Sequence, residues 1–131
     1  MPYATIQTTG GYLYLNSNGG AVLSILPYRW RLTDYDPAST FFSYVWANDQ
    51  AVVCDGQLLS ETGRAPFTVS PNVPTPLTFE YAGSVPEGPV YVIRAQGLGI
   101  YQKNCVTPFQ DGKVWFYDGN LNIVWGVKIA D

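Results

Sequence analysis

At 131 residues the chain is long enough to bury one hydrophobic core unaided by a metal or a set of disulfides. Charged residues make up only 13% and the net charge is −3, so no surface for neutralising a phosphate backbone, and no nucleic-acid partner, is expected. There is no His, which excludes Ser-His-Asp and Cys-His catalysis and imidazole-held zinc.

The N-terminus, Met1-Pro2-Tyr3-Ala4-Thr5, carries neither a basic region nor an apolar run, so it does not read as a signal peptide. A cytoplasmic location is expected, although a secreted chain whose leader had been removed would read the same. The apolar runs are too short to span a bilayer as a helix, and no membrane partner is expected.

In chain order, short aromatic and β-branched runs alternate with turn signals. Strands are expected near 3–8, 12–16, 21–26 and 29–33, broken by Thr9-Gly10-Gly11 and Asn18-Gly19-Gly20. A second set is expected near 41–47, 50–54, 57–61 or 66–70, and 77–82. Five candidates compete for four places there. A third set is expected near 89–95, 99–103, 113–118 and 123–129, with turns at Pro86-Glu87-Gly88-Pro89 and Asp111-Gly112. No window shows helical spacing free of Gly or Pro, so essentially no helix is expected.

The sets repeat. Ile6-Gln7-Thr8-Thr9-Gly10 matches Ile93-Arg94-Ala95-Gln96-Gly97, and Trp30, Phe79 and Trp125 take one place in each last strand. Three units, about 1–37, 38–84 and 85–131, point to a single all-β domain of β-trefoil type: a six-stranded barrel capped by three hairpins. An immunoglobulin-like sandwich is the alternative.

Catalysis has little to work with. Asp34 and Asp36, in Thr33-Asp34-Tyr35-Asp36-Pro37, read as a solvated turn rather than a glycosidase pair. Asp-x-Asp spacing alone does not assemble the six to eight oxygens that Ca²⁺ needs. Cys54 and Cys105 are too far apart for a CxxC pair; they form one disulfide or serve as two small buried residues. No enzyme activity, cofactor or metal is expected.

Ten Tyr, six Phe and four Trp exceed what a small core holds. Trp30, Trp115 and Trp125 are expected in the core. Trp46 lies near the Ala47-Asn48-Asp49-Gln50 break, and Tyr28 and Tyr101 suit surface platforms. An aromatic face beside an amide suits a sugar, which marks Trp46, Tyr101 and Asn104 as glycan-binding candidates. Exposed loops on a rigid barrel equally suit insertion into a protease cleft. Exposed aromatics leave the oligomeric state open.

The three-unit pattern resembles the β-trefoil superfamily. The places where ricin-B-type lectins carry Gln-x-Trp here read Tyr28-Arg29-Trp30, Leu77-Thr78-Phe79 and Ile123-Val124-Trp125, without the Gln and with Phe for one Trp. Val90-Tyr91-Val92-Ile93-Arg94-Ala95, and 51–58 with its Asp55-Gly56-Gln57-Leu58 turn, resemble the fungal protease-inhibitor trefoils, the mycocypins and related mushroom trypsin inhibitors. That resemblance implies a cysteine-protease inhibitor. Papain-like enzymes would be met by Thr8, Thr9, Gly10 and Gly11 of one loop and Leu26, Pro27 and Tyr28 of another. Legumain-type enzymes would be met by Asn48. For a serine protease the best basic candidate is Arg64, in Thr62-Gly63-Arg64-Ala65-Pro66. The lectin resemblance implies a carbohydrate partner instead.

Overall fold

The computed structural model describes residues 2–54, 64–71, 74–95, 105–117 and 123–130. Among them there is no helix, and no segment that could cross a membrane as one. The strands are β1 (Tyr3–Thr8), β2 (Gly11–Leu15), β3 (Ala21–Ser24), β4 (Trp30–Leu32), β5 (Phe41–Ser43), β6 (Val45–Ala47) and β7 (Gln50–Cys54). They continue with β8 (Arg64–Ser70), β9 (Leu77–Val85), β10 (Gly88–Ala95), β11 (Cys105–Pro108), β12 (Val114–Tyr117) and β13 (Trp125–Ile129).

Alternation drives these strands together. Ala4 and Ile6 of β1, Ala65 and Phe67 of β8, and Val114 and Phe116 of β12 are buried, while their neighbours are less so. Nine strands close into an antiparallel barrel in the order β1, β4, β6, β7, β8, β12, β11, β10, β13 and back to β1. The hairpin β2–β3 hangs from β1, and β9 links β10 to β5.

Only Tyr44 separates β5 from β6, and buried Ser43 seals that break. Ser43 Oγ accepts the Thr33 and Asp34 N–H groups at 3.1 and 3.3 Å and donates to the Tyr44 carbonyl at 2.8 Å. The 41–47 run thus pairs β4 at one end and β9 at the other.

The core is aromatic. Phe41 stacks on Phe79 at 4.7 Å and Phe67 on Phe116 at 5.1 Å. Fully buried Trp30 donates its indole N–H to the Leu13 carbonyl at 3.0 Å, and fully buried Trp125 donates to Val106 at 3.0 Å. Tyr91 donates its hydroxyl to the Asp36 carbonyl at 3.0 Å and accepts the Ala38 N–H at 3.2 Å, fixing the turn after β4. Burial pushes the Tyr91 phenol above its ordinary range, so it keeps the proton that the first bond needs.

Several elements differ from the sequence reading. The strand expected over 21–26 stops at Ser24, because Ser24 Oγ takes the Leu26 N–H at 3.0 Å and turns the chain. Of the competing candidates in the second set, the later one forms, as β8. Strand β11 was not anticipated at 105–108. Trp115, expected in the core, is half-buried on the outward face of β12. The segments 57–61 and 99–103 lie outside the described residues.

Candidate functional site

Two of the predicted loops come together. Thr8 pairs with Gly11, leaving Thr9 and Gly10 at the tip of the β1–β2 hairpin. Tyr12 pairs with Ser24, which brings that tip beside the end of β3. Gly11 makes the approach possible: its φ is +139°, and a Cβ there would sit 2.8 Å from the Ser24 carbonyl oxygen.

Beyond Ser24 the chain presents apolar side chains to solvent. Ile25 is 91% exposed and Leu26 58%, and Pro27 follows them, also exposed. The loop is held at both ends. Ser24 holds the Leu26 N–H, and the Tyr28 ring packs between Tyr14 at 5.2 Å and buried Trp30 at 4.8 Å. Tyr28 is thus a half-buried anchor rather than the open platform expected of it. Its burial, and Tyr14 after that, push its phenol above the ordinary range. On the other flank Thr8 Oγ1 donates to the carbonyl of exposed Val124 at 3.0 Å. Thr9, Gly10, Ile25, Leu26, Pro27 and Val124 therefore form one apolar edge.

The sequence marked Gly10, Leu26 and Pro27 but missed Ile25, which reads as part of a strand. The available signal was Pro27, which has no N–H to give to a ladder and restricts the residue before it.

Asn48 is exposed at the β6–β7 turn, with Ala47 paired to Gln50. Its φ of 58° is left-handed, a conformation that Asn tolerates better than other residues with a Cβ. It therefore shapes the hairpin, whatever it recognises. Asn48→Gly should hold stability within a few tenths of a kcal/mol, whereas Asn48→Ala should cost about 1 kcal/mol in urea unfolding.

The other candidates fall elsewhere. Trp46 is half-buried, with the Arg31 guanidinium carbon 5.5 Å from its ring centroid, so one ring face is covered. Tyr101 and Asn104 lie outside the described residues. Arg64 is not at the tip of a projecting loop: it opens β8 opposite Tyr117, with its guanidinium over the Phe109 and Trp115 rings at 4.4 and 4.7 Å. Asp34 and Asp36 are exposed in their turn. Cys54 and Cys105 are both buried and are not joined to each other in a disulfide, and Arg94 reaches the Cys105 sulfur at 2.9 Å and Glu80 at 2.9 Å. Among the described residues no three His, Cys, Asp or Glu side chains are placed to hold a metal.

No protein-family model, curated protein or solved structure matches this chain.

Proposed function

We propose that the chain is a β-trefoil that inhibits a papain-like cysteine protease by entering the enzyme's cleft with its paired loops, 8–11 and 24–28. A second, shorter circuit of strands supports the trefoil reading. It runs β1, β4, the 41–47 stretch, β9, β10, β13 and back to β1, six positions in all. Three hairpins, β2–β3, β7–β8 and β11–β12, join it through β1, β6 and β10. The indole bonds from Trp30 into β2 and from Trp125 into β11 repeat one device in the first and third units. On this reading the units are about 1–37, 38–84 and 85–131, and Phe79 takes the Trp place in the second.

The observation that carries the inhibitory reading is the exposed Ile25-Leu26 pair on a loop fixed at both ends. Burying such side chains in a cleft is worth about 1.5–3 kcal/mol each, and a fixed loop loses little entropy on binding. The glycine tip beside it lets backbone pass close to an enzyme surface. Exposed Asn48, on its own hairpin, would serve an asparagine-specific protease.

Titration of papain tests the proposal. The native protein should inhibit at micromolar concentration. Ile25→Glu should weaken inhibition about 100-fold, since it removes the apolar contact and carries a charge into the cleft. Its unfolding curve should match native, because Ile25 is almost wholly exposed. Asn48→Gly should leave papain inhibition intact. A native protein inert against papain, or an Ile25→Glu variant as potent as native, would overturn the reading.

A further inference from the structure

A cleft of about 190 Å³ opens where three hairpins meet, between the 16–20 turn, β8 and the start of β12. Val22 bridges to Lys113 there, and Trp115 pairs with Pro66. Trp115, with the Arg64 guanidinium over one face of its ring at 4.7 Å, and Pro66 supply apolar wall, and Asn16, Asn18, Thr68 and Lys113 add polar groups.

The polar groups are biased toward donors. Asn16 Oδ1 accepts the Ser17 N–H at 2.8 Å and Asn18 Oδ1 accepts the Gly20 N–H at 3.1 Å, which fixes both amides and leaves their NH₂ groups for a ligand. Lys113 is exposed and makes no ion pair among the described residues. Asp111, close by in sequence, is engaged through Oδ1 by the Lys113 backbone N–H at 2.9 Å. Among the described residues no carboxylate lines the cleft. The indole N–H of Trp115 is buried and has no acceptor among the described residues, unlike those of Trp30 and Trp125. A buried donor without an acceptor costs about 1–3 kcal/mol.

We propose that this cleft binds one carboxylate-bearing sugar ring, a uronic acid unit. Such a ring offers a C–H face to Trp115 and Pro66, hydroxyl oxygens to the amide NH₂ groups of Asn16 and Asn18, and a carboxylate to Lys113. At about 190 Å³ the cleft is smaller than the roughly 300–1,000 Å³ of drug-sized ligand pockets, which favours a single ring over an oligosaccharide. The site is independent of the protease-binding edge, and Trp46 is not among its lining residues.

Indole N–H resonances in proton–nitrogen NMR read this directly, since the four Trp residues give four signals and Trp115→Phe identifies one. Glucuronate should shift the Trp115 signal to saturation in the millimolar range, with glucose about tenfold weaker and acetate weaker still. Lys113→Gln, at an exposed position that leaves folding unaffected, should erase the preference for glucuronate over glucose. Trp115→Phe should weaken glucuronate about tenfold, followed through the Gly20 amide. Three results would overturn the proposal: no saturating shift by about 50 mM glucuronate, acetate binding as tightly as glucuronate, or an unchanged preference in Lys113→Gln.

Discussion

Trp125→Ala should remove about 3–5 kcal/mol of stability, the largest loss expected of any single substitution considered. Trp125 is fully buried and stands opposite Tyr91 where β13 meets β10. Ala would leave a cavity and strand the Val106 carbonyl that now accepts the indole N–H. Against a total of about 5–15 kcal/mol for a domain, that takes much of the margin. Trp125→Phe separates the two effects, because it keeps most of the volume and removes the donor; a loss of about 1–3 kcal/mol is expected. Trp30→Phe should cost a similar amount through the Leu13 carbonyl. Urea midpoints at constant slope provide the measurement. Two neutral Phe variants would show that the indole bonds carry no structural weight.

Gly11→Val should come second and should damage function together with stability. The φ of +139° lies in a region that only Gly occupies readily, at about 1–3 kcal/mol for another residue. The added Cβ would also press on backbone, 2.8 Å from the Ser24 oxygen, so β3 must move away from β2. That movement carries Ile25 and Leu26 with it, and papain inhibition should fall at least tenfold even where the variant remains folded. Gly19→Ala is the control: its φ is +87° with nothing within 4 Å, so it should show backbone strain of about 1–2 kcal/mol and unchanged inhibition. Equal inhibition by the Gly11→Val and native proteins would show that the two loops do not act as a unit.

Much of the fold was legible because its strands obey a period of two and its turns carry glycine at left-handed positions. Tyr3–Thr8 was read to the residue, and Pro86-Glu87-Gly88 does form the β9–β10 turn, with Gly88 at φ +136°. Trp30, Phe79 and Trp125 are fully buried, as the repeat read from the sequence leads one to expect. The candidate edge was only half legible. Gly10, Gly11 and Pro27 announce turns by backbone chemistry, which is local. Ile25 and Leu26 announce hydrophobicity, which reads the same whether the side chain enters a core or faces water. Their exposure depends on Ser24 capturing one N–H, a contact that no apolar pattern encodes. The cleft at Trp115 was illegible for another reason. Its residues come from three separate hairpins, and an indole looks like core until its N–H is seen to lack an acceptor.

The pairing of β1 with β13 sets the order in which this chain can become a protein. Ala4 lies opposite Ile129, and the Ala130 N–H reaches the Tyr3 carbonyl, so one edge of β1 is closed by a strand far along the sequence. During synthesis β1 can pair with β2 and β4 as they emerge, but the barrel stays open along that seam until β13 arrives. Closure must then bring together two strands far apart in the sequence, at an entropic cost that local hairpins do not carry. Folding of the completed chain should accordingly be governed by this one long-range step, with the hairpins formed beforehand and the seam zipped last.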